Sequence, residues 1–268
     1  MPEGNEVHRF RDRQAAIFAG RTVRADSPSG QFPDAELLDQ RKLRGIIAHG
    51  KHLGYDFGRD LILHVHLGRF GDFTEGTGPL AKPKGALRLR IWTKRKGKID
   101  WLELRGPSDC SIYDQKKWEH LMARLGPDPL DIQADPKPAF ARILGSKAPI
   151  GLLLMDQSVL SGIGNIYRAE LLYRAKLSPF RAARSVDLKI LRAIWNDAKR
   201  LMPDGMVDRR IVTTRPKDRP HRRGPAQREE VHYVYRRRGK PCFVCGTAIR
   251  NQDMAGRTLY WCPVCQKD

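Results

Sequence analysis

The chain has 268 residues, 40% of them hydrophobic, with 50 Lys and Arg against 30 Asp and Glu and a formal net charge of +20. That length suits one large domain or two ordinary ones, and the charge predicts a polyanionic partner, nucleic acid above all. No apolar run approaches a membrane span, Ile150 to Met155 being among the longest, and nothing at the start of the chain suggests export, so a cytoplasmic, nucleoid-associated protein is expected.

In chain order, Glu3 to Phe18 reads as a helix with Val7, Phe10 and Ile17 on one face. Three segments then alternate as half-buried strands should: Leu61 to Leu67, Leu87 to Trp92 and Ile99 to Leu104. Lys94-Arg-Lys-Gly97 is a natural hairpin turn between the last two. Asp114 can cap a short helix carrying Trp118, Leu121 and Leu125. Gly126-Pro-Asp-Pro129, with further prolines at 136 and 138, reads as a linker. Helices are expected from Ile150 to Ser161, Gly164 to Ala175 and Val186 to Met202. Residues 215–230 are basic and poor in apolar side chains, which suits a mobile loop.

The end of the chain carries Cys242-Phe-Val-Cys245 and Cys262-Pro-Val-Cys265. Two such knuckles can give four thiolates to one tetrahedral zinc; the alternative is a pair of disulfides. Two-residue spacing and the missing leader favour the metal. Cys110 is left over and reads as a small buried side chain. Charge and zinc together still admit a zinc-ribbon protein bound to RNA or the ribosome.

The chain opens Met1-Pro2-Glu3-Gly4-Asn5-Glu6. A small second residue favours removal of the initiator methionine, which leaves Pro2 as a free secondary amine. An α-amino group with a pKa near ~8 is partly unprotonated at neutral pH, whereas a lysine near ~10.4 needs a large shift to match it. Such an amine attacking a sugar C1′ forms an iminium and opens the way to β-elimination, with Glu3 beside it as general acid and base. In isolation the same residues are an ordinary exposed terminus.

Three separated segments now converge. The start MPEGNEV, the central Gln157-Ser-Val-Leu-Ser-Gly-Ile-Gly-Asn165-Ile-Tyr-Arg-Ala-Glu170 and the end Gly256-Arg257-Thr-Leu-Tyr-Trp-Cys-Pro-Val-Cys-Gln266 together resemble the formamidopyrimidine-DNA glycosylase/endonuclease VIII family over nearly the whole chain. The resemblance implies an α+β fold: an N-terminal β-sandwich with flanking helices, then a helix-two-turns-helix domain and a zinc-finger β-hairpin. Expected boundaries are a catalytic domain at 1–125, a linker at 126–138, the helical DNA-binding domain at 139–230 and the zinc finger at 231–268. It implies excision of oxidised bases from double-stranded DNA and cleavage at abasic sites by a monomeric enzyme holding one structural zinc. The alternative is a family member without catalysis that only binds damaged or single-stranded DNA.

By position, the resemblance makes Pro2 the nucleophile and Glu3 the general acid/base. Lys51 matches the family's strand lysine near the reacting sugar, and Glu6 a positioning residue. Gly162 and Gly164 would let the backbone approach a phosphate beside Asn165, and Arg257, Tyr235 and His66 fall at phosphate-contact positions. Arg236 to Arg238 would add sequence-independent attraction. Excision requires the damaged nucleotide to leave the stack, and Leu67-Gly-Arg-Phe-Gly71 is placed to fill the gap with Arg69 and Phe70. The formamidopyrimidine branch has a methionine where Arg69 stands, and Leu104-Arg-Gly-Pro-Ser-Asp-Cys110 does not match its other wedge loop. That segment and the Tyr-Trp-Cys-Pro ending are closer to endonuclease VIII, which points to oxidised pyrimidines.

Overall fold

The computed structural model describes residues 2–267, so the expected loss of Met1 concerns a residue outside those described. Two compact units divide between Arg124 and Leu125.

The first unit is two antiparallel sheets and a helix around one core. Helix α1 (Gly4–Phe18) is followed by β1 (Arg21–Asp26), β2 (Arg41–Leu43), β3 (Gly45–His49), β4 (His52–Asp56), β5 (Ile62–His66), β6 (Asp72–Thr77), β7 (Leu87–Arg95), β8 (Lys98–Arg105), β9 (Asp109–Tyr113) and α2 (Gln115–Arg124). Strand order is β2-β1-β7-β8-β6 in one sheet and β3-β4-β5-β9 in the other. Val23, Leu89, Ile91, Leu102 and Leu104 of the first sheet share a buried cluster with Ile46, Leu53, Tyr55, Leu63 and Val65 of the second and with Val7, Phe10 and Phe18 of α1. This is the expected sandwich.

Strands β7 and β8 bury every second residue, as their alternating sequence demands, and join through Lys96 and Gly97, both left-handed at φ 48° and 75°. A bulge between Leu87 and Leu89 shifts the register against β8. Strand β5 departs from the expected half-burial. Ile62 to Val65 are all buried, because β5 lies between β4 and β9 and its outer His64 is covered by the rings of Tyr113 and Trp118, centroids 4.6 and 6.1 Å away. Asp114 does cap α2, accepting from the Lys117 N–H at 2.6 Å. A buried polar chain seats α1: the Tyr55 hydroxyl donates to Gln14 Oε1, and Gln14 Nε2 donates to Glu75 Oε1 at 3.0 Å.

The second unit holds α3 (Lys137–Leu144), α4 (Ile150–Leu153), α5 (Asn165–Arg174), α6 (Leu188–Val207), β10 (Arg250–Asp253) and β11 (Thr258–Trp261). The predicted helix at 150–161 stops after Leu153. Asp156 turns the chain instead, accepting from the Ser158 N–H at 2.9 Å, a local bond that competes with the helix. Helix α6 starts where Asp187 caps the Lys189 N–H at 2.7 Å and runs past the expected end through Pro203. Proline removes one helical bond there, and burial of Leu201, Met202 and Gly205 holds the last turn. Residues 126–138 pack closely within this unit. The Gly126 N–H donates to Gln157 O at 2.9 Å, Ser161 N–H to Pro127 O at 3.1 Å, and the buried Asp128 caps Leu130. Within 215–230 the chain is likewise tied down: Tyr233 donates to Asp218 at 2.6 Å, Arg219 to Thr214 at 2.8 Å, and the His221 N–H to the buried Glu230 at 2.9 Å. Among the described residues no helix is long and apolar enough to cross a membrane.

Gly54 permits the packing of α2 on the outer face of β4, since a Cβ there would lie 2.6 Å from the Trp118 ring. Gly54→Ala should therefore cost about 1–3 kcal/mol in chemical denaturation, as overpacking does; native stability would show that α2 does not depend on this contact.

Candidate functional site

In the first unit, Pro2 is partly exposed and Glu3 is buried immediately before α1. Glu3 is the N-cap residue, and its carbonyl accepts from the N–H groups of Glu6 and Val7 at 3.0 and 3.2 Å. The amine position is thus tied to a helix start held in the core by Gln14. Glu6 pairs with Arg9, Nε to Oε2 at 3.0 Å, one helical turn on.

Lys51 lies in the turn between β3 and β4 and not inside a strand. Gly50, left-handed at φ 57°, makes that turn, and His49 pairs with His52 across it. His66 ends β5, with Nδ1 2.7 Å from Ser108 Oγ. The following Leu67–Gly71 loop is pinned at its glycines: a Cβ on Gly68 would meet Ser108 at 2.7 Å, and one on Gly71 would meet Leu67 O at 2.3 Å. Phe70, at 82% exposure, projects from this loop, so it is not a core side chain. The Arg69 guanidinium lies 5.5 Å from its ring centre. Cys110 is buried, and burial pushes its thiol up to about 12, which suits an inert side chain.

In the second unit, the four expected cysteines are brought together. Their sulfurs lie within 4.8 Å of one another, with Cys242–Cys265 at 3.8 Å and Cys245–Cys262 at 3.5 Å. A tetrahedron of ~2.3 Å Zn–S bonds requires about 3.8 Å between sulfurs, whereas a disulfide requires about 2.05 Å. The donor set fits zinc and replaces the disulfide alternative. Backbone N–H groups of Val244 and Cys265 point at Cys242 and Cys262 Sγ at 3.5 and 3.4 Å, and the Tyr173 hydroxyl lies 3.1 Å from Cys242 Sγ. Four thiolates leave no open position for water, so the ion is structural.

Ala255 and Gly256, both left-handed at φ 54° and 68°, turn β10 into β11, which puts Arg257 at the hairpin tip. Helix α5 holds this hairpin. Asn165 is its first residue, with Gly164 as the cap, and its Nδ2 donates to Thr258 O at 2.9 Å while Oδ1 accepts from the buried Arg168. Gly162 supplies the left-handed step before it, at φ 83°. One helical turn further, buried Glu170 accepts from the N–H groups of Tyr233, Val234 and Tyr235 at 2.7, 2.9 and 2.8 Å and from the Thr213 hydroxyl. Tyr235 packs edge-on to Tyr260 of β11 with centroids 5.5 Å apart. Asn165, Tyr235 and Arg257 are therefore organised by one helix.

Sequence reading gave no role to Glu170, His52 or His64, and did not group the two last with His66. The signals were present: a glutamate inside the apolar face of a helix, and histidines alternating on one strand. Burial pushes His52 down to about 3, with the charges of His66, His64, His49 and Lys51 acting the same way.

Three families match consecutive stretches: the formamidopyrimidine-DNA glycosylase N-terminal domain over residues 1–110, its H2TH domain over 125–215, and the zinc finger found in FPG and IleRS over 239–267. The chain is 42% identical to endonuclease 8 1 of Mycobacterium tuberculosis, covering 99% of this chain and 100% of that one. The chain belongs to the formamidopyrimidine-DNA glycosylase/endonuclease VIII family. It is accordingly a base-excision-repair DNA glycosylase of that family. It is also 31% identical to the formamidopyrimidine-DNA glycosylase of Thermus thermophilus, covering 99% of this chain and 98% of that one. The fold is similar to that of MutM in complex with DNA containing carbocyclic 8-oxo-G (TM-score 0.77, 23% identity, 100% of both chains). It is similar as well to the Lactococcus lactis Fpg complex with abasic-site DNA (TM-score 0.76, 21% identity, 99% of this chain and 100% of that one).

Glu170 satisfies three backbone donors and a hydroxyl in the interior. Glu170→Ala should lower stability by about 2–5 kcal/mol, because several buried donors lose their acceptor together. Thermal unfolding of the zinc-loaded protein checks this; an unchanged midpoint would mean that water replaces the carboxylate.

Proposed function

We propose that this glycosylase removes oxidised bases, pyrimidines foremost, from duplex DNA through an amine at Pro2, and then cuts the abasic strand. The observation that carries this reading is the pairing of a partly exposed Pro2 with a buried Glu3 at the fixed start of α1. Once Met1 is removed, the Pro2 nitrogen attacks C1′ and the C1′–base bond breaks. The departing base takes a proton through Glu3, the Pro2 nitrogen gives up its own proton, and the C1′–O4′ bond then breaks with O4′ protonated, which leaves an iminium between Pro2 and C1′. Loss of a C2′ proton then expels the 3′ phosphate, and a second elimination expels the 5′ phosphate where it occurs. Lys51 supplies positive charge near the sugar and its phosphates.

Binding is divided among fixed parts. Arg257 and Tyr235 take phosphates from the zinc-held side of α5. The Asn165 amide has two N–H bonds; one goes to Thr258, and the other serves a phosphate oxygen. His66 contributes a further phosphate contact. Arg69 and Phe70 enter the stack as the nucleotide rotates out, a role supported by the exposure of Phe70 on a glycine-pinned loop. The partner is double-stranded DNA with an oxidised base or an abasic site, met by a monomer at the nucleoid. The similar structures of MutM with 8-oxo-G DNA and of Lactococcus lactis Fpg with abasic-site DNA support the class of partner. The lean to pyrimidines is supported by the endonuclease 8 relative and by Arg69.

Borohydride trapping on duplexes carrying an abasic site, thymine glycol, 5-hydroxyuracil or 8-oxoguanine tests this. An adduct mapped to Pro2, largest for the pyrimidine lesions, is expected; no adduct from protein that has lost Met1 and holds zinc would favour a binding protein without catalysis. Pro2→Gly should retain lesion binding and lose on the order of a hundredfold in cutting, the lower end of what a lost catalytic group costs. Arg257→Ala should weaken binding to every lesion alike while trapping at saturating DNA persists, and a loss confined to one lesion would count against its phosphate role.

A further inference from the structure

Three histidines on adjacent strands form a cluster that the excision steps do not use. His52 opens β4, His64 and His66 lie on β5, and Asp109 opens β9. His52 pairs with His66, and His66 with Asp109, directly across the sheet. The His52 ring is centred 5.2 Å from that of His64 and 4.7 Å from that of His66.

The hydrogen-bond roles follow from what each partner can do. The Asp109 carboxylate only accepts, so His64 Nδ1 carries the proton of their 2.9 Å bond. Neutral His64 then has a bare Nε2, which accepts from His52 Nδ1 at 2.9 Å. The Ser108 hydroxyl has one proton, and the His66 carbonyl 3.0 Å away can only accept it. His66 Nδ1, 2.7 Å from Ser108 Oγ, must therefore donate to that oxygen. In the neutral ring this leaves Nε2 as a lone pair, which cannot donate to a phosphate oxygen.

We propose that His66 takes up one proton at Nε2 when it engages a DNA phosphate, and that Ser108 is the positioning residue that imposes this by holding the proton of the neutral ring on Nδ1. The inference rests on the reading of His66 as a phosphate contact. The proton comes from solvent, the neutral imidazole becomes an imidazolium, and both ring N–H groups are then used, one on Ser108 and one on the phosphate. The charged and titratable groups around the ring are His52 from β4, His64 from its own strand, Lys51 from the β3–β4 turn and Asp109 from β9. Burial, then His64 and Lys51, hold the free ring below the usual histidine range, with Asp109 opposing them. A phosphate placed against Nε2 reverses that balance by favouring the charged form. His66 then grips only where an anion is present, and its grip weakens as protons become scarce.

The test is the affinity for a duplex with a tetrahydrofuran abasic analogue, measured by fluorescence anisotropy at constant ionic strength from roughly pH 5.5 to 8.5, the range in which histidine titrates. For the native protein, affinity should fall with rising pH, approaching about tenfold per unit for one linked proton. His66→Gln, whose amide donates at any pH, should show a shallower dependence. Ser108→Ala frees the ring to carry its single proton on Nε2, and should bind more tightly than the native protein at the alkaline end with the slope reduced. If His66→Ala binds as the native protein does at every pH, the phosphate contact itself is wrong. If His66→Ala binds weakly yet the native protein and His66→Gln share one slope, the contact stands and proton uptake is overturned. A native slope in Ser108→Ala overturns the role of Ser108.

Discussion

The C-terminal half depends on a carboxylate that cannot reach water. Glu170 is buried on α5 and is neutralised by geometry: three successive backbone N–H groups and a threonine hydroxyl converge on it. A buried charge is tolerated only when its hydrogen bonds are complete, so the 233–235 segment has little freedom to move without exposing an uncompensated carboxylate. The zinc finger follows that segment directly. Asn165 holds the hairpin one turn earlier on the same helix, and Tyr173 reaches Cys242 one turn later. A single helix thereby sets the placement of Tyr235, Arg257 and the metal knuckles. Zinc holds the finger together, and α5 determines where the finger points its arginine.

The N-terminal half meets a related demand differently. The reaction proposed at Pro2 needs a fixed chain start, since the first residues of most domains are poorly ordered unless tied down. Here Glu3 closes the first turn of α1, and the helix is keyed to the sandwich by the Tyr55–Gln14–Glu75 chain as well as by Val7, Phe10 and Phe18. Tight turns carry Lys51, after a left-handed glycine, and Arg69 and Phe70, between Gly68 and Gly71. Backbones that glycine lets approach closely give these turns a defined shape. The histidine cluster lies between the two turns, with its tautomers dictated by Asp109 and Ser108.

Much of this was legible in the chain. Strands β7 and β8 alternate cleanly because each has one face in the core, and Asp114 and Asp187 mark helix starts because a side-chain oxygen can satisfy the first N–H groups. Other elements were misread for physical reasons. The apolar run from Ile150 belongs to a single turn of helix, because Asp156 captures the local N–H groups. Prolines at 127, 129, 136 and 138 suggested a linker, and what the prolines did not reveal is that buried Asp128 and the Gly126 contact hold this stretch to its own unit. Gly164 keeps an ordinary extended conformation at φ −119°, and only Gly162 uses the freedom of glycine.

By itself, the sequence determined the family and the metal ligands, through three converging motifs and four cysteines at metal spacing, and it supplied the proposal of covalent chemistry at a second-position proline beside a glutamate. These are local properties of residue type and spacing. Only the tertiary structure decided which side chains have partners. The four acceptances of Glu170, the two bonds of Asn165, the 82% exposure of Phe70 and the proton positions on His52, His64 and His66 all depend on residues distant in the chain. Burial and hydrogen-bond satisfaction are sums over neighbours in space, and no single stretch of sequence contains them.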